Sequence, residues 1–428
     1  MQTNCLVPIK KIFQGCFFFL FTVIGIGLYP GAVFCQKPKV KTGLEVLAES
    51  GFKILQGKRV GLVTNPTGID SKLHSDIDLL FHAPGVHLVA LFGPEHGIRG
   101  DASAGQDVSS NTDPVTGLPV YSLYGRHSKP TPDMLKNIDV LVYDIQDIGV
   151  RSYTFISTLG RVMEAAAENN IPLVVLDRPD PLGGNKVEGT PVHPGFKSFV
   201  SLYPIPYVYG LTSGELARYL NGEHLLENGE QCQLTVVKMK GWRRKMTFSD
   251  TGLPWVPTSP HIPYKDTPEY CVATGIMGEL GVLSEGVGYT LPFRMLGASW
   301  MNGNKVALAM RALDLPGVMF RPVSFRPYYG RDKGTELHGV QVMITNPAKA
   351  DLMQIQFAFM QVNHQLYPNK NPFGMADSNR IKMFDKVLGT DQIRKTFEKR
   401  FRLDDIKPLL NQGIDEYRKK ARKYYLYR

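Results

Sequence analysis

His87-Leu-Val-Ala-Leu-Phe92, followed by Gly93-Pro-Glu-His-Gly-Ile-Arg-Gly100, is the stretch on which the reading of this chain turns. Its first six residues alternate and then become continuously apolar, the pattern of a buried strand. Gly93-Pro94 is a strong turn signal and cuts the strand off. Past the turn, Glu95, His96 and Arg99 stand within five positions, and Gly97 and Gly100 leave the backbone free to bend tightly or approach a ligand. Open α/β sheets gather their ligands just beyond the carboxyl ends of strands. The same residues can equally form a solvated polar turn, so the rest of the chain has to decide.

Outward from that strand the pattern repeats. Upstream, Gly43–Ser50 reads as a short helix, Lys58–Thr64 as a strand ending in Asn65-Pro-Thr-Gly68, and Ser75–Phe81 as a helix. Downstream, Asp139–Asp144 and Ile171–Leu176 read as strands flanking a helix over Thr154–Asn170, and Gln233–Lys238 as a last strand. Thr212-Ser-Gly-Glu215 has the form of a capping box opening a helix through Leu226. Strands and helices alternating in this way predict an α/β fold, a mostly parallel sheet with helices on both faces. The intervening segment Asp101–Lys129 is rich in Gly, Ser, Asp and Pro; a loop of that length in a compact domain with aromatic and Pro content is expected to be ordered and functional.

The alternation stops near Gly241. Gly252–Pro263 holds four prolines and no periodicity, which marks a seam between domains. Beyond it lie a Gly-rich stretch Glu279–Pro292, a helix Asn304–Leu315, strands Val318–Phe325 and Val340–Ile344, and helices Asp351–Leu366, Ile381–Leu388 and Thr390–Arg400, a smaller α+β domain. The expected division is a leader at 1–35, the α/β domain at 36–250, the seam at 251–270 and the α+β domain at 271–428.

At 428 residues, 43% hydrophobic and 21% charged, the chain has the composition of a soluble globular protein of two or three domains. Lys10 and Lys11 ahead of the apolar run Phe17–Leu28, with Gly31-Ala-Val-Phe-Cys35 behind it, form a secretory signal that predicts export to the periplasm and a mature chain starting at Gln36. An uncleaved leader is the alternative, and the one expected route to membrane contact. Cys232 and Cys271 alone remain in the mature chain; they permit one disulfide but neither a framework nor zinc spacing. The formal charge is +10, and Gly413–Arg428 carries six Lys/Arg interleaved with four tyrosines. A basic helical face explains that tail, and an exported protein meets little nucleic acid, so no nucleic-acid partner is expected.

Polar clusters end four of the predicted strands: Asn65; Glu95-His96; Asp144 and Asp147, with Arg151 and Tyr153 behind them; and Asp177-Arg178. In a parallel sheet these ends share one edge, so the groups are expected to converge on a single crevice. No G-x-G-x-x-G follows the first strand, and Walker, H-E-x-x-H and G-x-S-x-G motifs are lacking, which argues against a dinucleotide or other cofactor, a metal and a serine nucleophile. Carboxylates, arginines and aromatics remain. Paired carboxylates with one held protonated cleave glycosidic bonds, and Tyr121, Tyr124, Tyr153, Trp255 and Tyr289 can stack on sugars or pack in the core.

The runs Leu91-Phe-Gly-Pro-Glu-His-Gly97, Thr116–Gly125, Asp144-Ile-Gln-Asp-Ile-Gly-Val-Arg151, Leu176-Asp-Arg-Pro179 onward to Gly184, and Gly214-Glu-Leu-Ala217 together resemble the exo-β-N-acetylmuramidases of the NamZ type, across nearly the whole mature chain. The resemblance implies a Rossmann-like domain, an auxiliary C-terminal domain and a cleft between them. It implies release of N-acetylmuramic acid from the non-reducing end of peptidoglycan fragments, with Glu95 as the catalytic acid/base. Asp144, Asp147 and Glu285 are candidates for a second carboxylate, whose separation from Glu95 distinguishes retention from inversion; participation of the substrate's acetamido group is a third route. Arg151 or Arg178 is expected to read the lactyl carboxylate of muramic acid, with Asn65, His96, Tyr153, Asp177, His261 and Glu285 as further substrate-binding residues. The chain departs from the family runs at Val208-Tyr209, Asp180, His261, Val287 and Tyr289, so a related amino sugar, or a sugar-binding homologue without catalysis, is the alternative.

Overall fold

The structure, a computed structural model, describes residues 40–99 and 111–428. The leader and the Gly105-Gln-Asp107 part of the long polar segment lie outside the described residues. Strands β1 (Arg59–Thr64), β2 (His87–Gly93), β3 (Asn111–Thr112), β4 (Pro119–Ser122), β5 (Val140–Asp144), β6 (Leu173–Leu176) and β7 (Leu234–Val237) form one sheet in the order β3-β4-β2-β1-β5-β6-β7. All its pairings are parallel except β3 with β4.

Period-two alternation decides which residue faces which layer. Val60 and Leu62 of β1, Val140 and Val142 of β5, and Val174 and Leu176 of β6 pack against Leu44, Leu47, Ile77 and Leu80 from the helices Gly43–Glu49 and Asp76–Phe81. Val63, Leu141, Tyr143, Leu173 and Val175 face the other way, onto Phe155–Glu168 and Ser213–Gly222. Covered on both sides, β5 and β6 are buried along their whole length, as parallel strands usually are. The capping box read at Thr212 and Glu215 is present.

From central β1 the chain runs out through β2 to β4. It returns as β5 on the opposite side of β1 and continues to β6 and β7. The loops after β1 and β5 thus leave in opposite directions, which opens a switch-point crevice between them.

A second sheet of β8 (Met295–Ala298), β9 (Val318–Phe325) and β10 (Leu337–Ile344) is antiparallel in the order β8-β10-β9. Its core, with helices Thr267–Gly278, Gly303–Ala312 and Leu352–Leu366, is continuous with Ile148, Val150, Leu182, Tyr207 and Val208 from the first domain. Ile148 and Val150 belong to the loop after β5, so the second core adjoins the carboxyl edge of the large sheet.

Several elements differ from the sequence reading: β3 and β4 form inside the polar segment read as a loop, and the helix read through Leu226 ends at Gly222. Thr267–Gly278 is buried on most sides and carries no amphipathic period to betray it, and its first turn takes the end of the Pro-rich seam. β8 is four residues, Met-Leu-Gly-Ala, too short and too Gly-interrupted to read as a strand. The helix expected over Thr390–Arg400 is confined to Gln392–Phe397. The basic tail has its own account: Ile414, Tyr417 and Ala421 enter the first domain's core while Lys419, Lys420 and Lys423 stay exposed. Tyr417 donates to the Tyr209 carbonyl at 2.7 Å, Tyr424 to Glu223 at 2.8 Å, and Tyr425 lies under the Arg244 guanidinium at 3.4 Å. Ile414–Tyr427 therefore returns to the first sheet's layer, away from the domain to which its sequence position would assign it. Cys232 and Cys271 are both free thiols.

Candidate active site

At the end of β2 the chain turns at Pro94, with the Gly97 N–H donating to the Pro94 carbonyl at 2.9 Å. His96 and Gly97 both take left-handed backbone, φ 73° and 74°. For a histidine this conformation costs on the order of 1 kcal/mol, and its side chain is buried. Arg99, the third polar residue of the run, pairs with buried Asp113 at 2.5 Å. Glu95 is half-buried, and the Thr154 hydroxyl donates to its Oε2 at 2.5 Å. Thr154 is the N-cap residue of Phe155–Glu168, yet its side chain caps nothing. Its backbone is already helical, φ −67° and ψ −10°, so the hydroxyl is not in capping geometry and is turned onto a carboxylate. That bond joins the turn after β2 to the helix that follows β5, over the end of β1.

The neighbour Tyr153 donates to Thr258 Oγ1 at 2.7 Å and meets Phe155 edge-on at 4.7 Å, pinning the Pro-rich seam beside Glu95. Three residues on, half-buried His261 stacks on Tyr329 at 5.9 Å. Burial, and then the nearby His96, lower the His261 pKa, so it is neutral at pH 7. Asn65 at the end of β1 accepts from the Thr67 N–H and hydroxyl at 3.0 and 2.6 Å, while its buried Nδ2 has no partner among the described residues. Buried amide donors left unpaired in a protein point to a ligand or a water.

The four strand ends do share one edge, but most of their charges are consumed beneath it. Asp144 is fully buried in a bidentate pair with Arg178 at 2.5 and 2.8 Å, and Arg178 also donates to the Ile69 carbonyl at 3.0 Å. Desolvation raises the Asp144 pKa against the pull of Arg178. Neighbouring Asp76, hydrogen-bonded to Thr64, is pushed well up by its burial and then by Asp144. Asp177 accepts from Thr212 Oγ1 and the Gly214 N–H, both at 2.8 Å, and from Tyr427, so it caps Ser213–Gly222 and moors the tail. Arg151, expected to read a substrate carboxylate, is fully buried. It donates to the carbonyls of Thr190 (2.8 Å), Ile205 (2.7 Å) and Val387 (2.9 Å) and to Ser201 Oγ (3.3 Å). Neither arginine is open to a lactyl group. The crevice at the switch point, lined by Thr67, Gln146, Arg178 and Trp255, encloses about 20 Å³, room for a water and not a sugar. The Gln146 N–H donating to Thr67 Oγ1 at 2.9 Å ties its two walls together. Among the other aromatic candidates, Tyr121 packs on Phe92 at 5.3 Å and Trp255 on Phe248 at 4.8 Å.

Asp147 is nine-tenths buried. Its Oδ2 accepts from Tyr209 and from the Gly149 N–H at 2.7 Å, while Oδ1 has no partner among the described residues. Desolvation pushes its pKa up to about 7, against the pull of those donors. Asp180, beside it, is raised well above the usual range by burial. A carboxyl whose folded pKa exceeds the unfolded one favours the fold while protonated. That contribution is complete below about pH 4 and is lost as pH rises to about 7. Thermal melts at pH 5 and 7.5 should show stability falling across this window. Asp147→Asn, which cannot ionise, should shrink the fall by on the order of 2 kcal/mol; an unchanged slope would assign the loss to other groups. Glu285 lies 3.6 Å from Arg331, its pKa raised by burial in spite of that arginine. Among the described residues no group of three or more His, Cys, Asp or Glu is placed to hold a metal ion.

Sequence reasoning missed Thr154, Thr258 and Tyr329. Thr154 was legible only as the start of a helix, and nothing local says that its hydroxyl reaches Glu95.

Two family profiles match the chain: exo-β-N-acetylmuramidase NamZ, N-terminal, over residues 60–266, and NamZ, C-terminal, over residues 271–427. Over 392 residues the chain is 44% identical to the peptidoglycan β-N-acetylmuramidase NamZ of Bacillus subtilis (strain 168), covering 92% of each. Two crystal structures of DUF1343 family proteins from Bacteroides fragilis NCTC 9343 share the fold. One is 54% identical with a TM-score of 0.88, over 92% of this chain and 100% of that one. The other is 28% identical with a TM-score of 0.74, over 91% and 99%.

Proposed function

The chain belongs to the NamZ family of exo-β-N-acetylmuramidases, which are glycoside hydrolases, and from that premise we propose that it releases N-acetylmuramic acid, or a related amino sugar, from the non-reducing end of peptidoglycan fragments. Glu95 is the acid/base. The observation that carries this assignment is the Thr154 hydroxyl, at the start of the helix after β5, donating to Glu95 Oε2 at 2.5 Å. A hydroxyl from a separate element that fixes one carboxyl supports a reaction that needs that carboxyl in one place.

As the glycosidic C–O bond breaks, its electrons move onto the departing oxygen, which takes the Glu95 proton and leaves as a neutral alcohol; the hydroxyl of a water completes the anomeric carbon, and the water's other proton restores Glu95. Asn65 Nδ2, without a partner among the described residues, offers a donor to a substrate acceptor, and neutral His261 with buried His96 lines the approach. Asp144, Asp177 and Arg178, tied into internal pairs, act by holding the strand ends in register.

The test is incubation of glycan fragments bearing terminal N-acetylmuramic acid, with products read by mass spectrometry. Release of the free sugar one unit at a time is the expected result. Binding without release would replace the hydrolase with a sugar-binding homologue. We propose as well that the protein acts outside the cytoplasm, a reading supported by Lys10 and Lys11 ahead of the apolar run Phe17–Leu28; a mature mass beginning near Gln36 would support this, and a retained Met1 would count against it.

A further inference from the structure

The segment 326–334 of the second domain carries two tyrosines at its surface, Tyr328 (65% exposed) and Tyr329 (47%). Single exposed rings are ordinary, but these are layered. Tyr328 lies over Tyr289 at 5.7 Å and 17°, and Tyr329 over His261 at 5.9 Å and 14°.

The segment is firmly seated. The Tyr328 N–H donates to the Gly288 carbonyl at 2.7 Å, the Gly334 N–H to Pro327 at 2.9 Å, and Arg326 Nη1 to the Gly334 carbonyl at 2.8 Å. Arg331 donates to the Leu283 carbonyl at 3.2 Å and faces Glu285, which gives that acid a place in supporting the loop. Gly288, at φ 95°, lets the loop come this close, because a Cβ there would lie 2.3 Å from the Tyr329 carbonyl oxygen. Rings held this way lose little entropy when something settles on them.

Their position is set by a short series of contacts. Thr154 holds Glu95, adjacent Tyr153 holds Thr258, and three residues further His261 lies against Tyr329. His261 is also near enough to His96 to feel its charge, so the Tyr329 end of the layer borders the Glu95 turn. An aromatic face matches the flat C–H face of a pyranose in shape and polarity. An exo-acting hydrolase encloses the terminal sugar and leaves the departing one on the solvent side. Half-open rings suit the departing one.

We propose that Tyr328 and Tyr329 form a platform for the sugar on the leaving-group side of the scissile bond, an N-acetylhexosamine. This assignment rests on the exo-acting reading above. The full-length mature protein is assayed on two substrates, the methyl β-glycoside of N-acetylmuramic acid and the disaccharide of N-acetylmuramic acid β-linked to N-acetylglucosamine. In Tyr329→Ala the ratio of kcat/KM for the disaccharide to that for the methyl glycoside should fall about tenfold, mainly through KM. Tyr328→Ala should lower it less, and Tyr329→Phe should keep it within about twofold. An unchanged ratio in both alanine variants would overturn the platform. If the wild type cleaves neither substrate, the exo-acting reading fails by itself. The platform is then read by saturation-transfer NMR with methyl β-N-acetylglucosaminide: a signal lost in Tyr329→Ala supports it, and a signal kept overturns it.

Discussion

Glu95→Gln should lower kcat on an N-acetylmuramic acid glycoside by about 10²–10⁴-fold, the usual share of general acid–base catalysis. The amide is isosteric and its oxygen can still accept from Thr154, so the turn, with left-handed His96 and Gly97, keeps its geometry. The melting temperature should therefore move little and KM should stay near the wild-type value, since what is lost is a proton and not a contact. Turnover within a few-fold of wild type would remove Glu95 from the chemistry. Thr154→Val sharpens the test. Because the hydroxyl caps nothing, its loss should not cost the stability expected of a deleted cap, yet kcat should fall about tenfold as the carboxyl loses its fixed orientation.

Arg151→Met should have the largest effect on stability and little on substrate affinity. The guanidinium reaches three backbone carbonyls and a hydroxyl from separate segments, one of them Val387 in the second domain. Burial pushes its pKa down to about 9, so it remains charged at neutral pH. Removing it strands three buried carbonyls at roughly 1 kcal/mol or more each, about 3 kcal/mol in total. Gly389, whose Cβ would lie 2.8 Å from Arg151 Nη2, shows how closely the chain is folded around that group. Lysine should recover only part of the loss, since a point ammonium cannot span a planar fork of acceptors. Denaturant midpoints give the stability, and KM per folded molecule gives the role. A raised KM with unchanged stability would restore Arg151 as a substrate-binding residue.

The two arginines show where reading from sequence stops. Arg151 and Arg178 stand just past strand ends, as substrate-reading residues would, and their spacing is the same whether they face a ligand or the interior. Arg178 meets Asp144 across 34 positions, and Arg151 meets Val387 across 236. No local pattern encodes either meeting. His261 and Tyr289, two positions at which the family runs are not kept, were legible as a substrate-binding residue and a ring for stacking or packing, but not by the partners they meet. Folding places each of them against a tyrosine of the segment 326–334.

By itself the sequence determined the parallel α/β sheet, the Thr212 capping box and the placing of Glu95 at a strand's end. Those features follow from hydrophobic period, turn chemistry and side-chain oxygens within a few residues of one another, and all of these are local. Only the tertiary structure decided which polar groups at that edge remain for chemistry. A buried charge must find its partner wherever packing delivers one, and here the partners of Asp144, Asp177 and Arg151 arrive from other strands, the tail and the second domain.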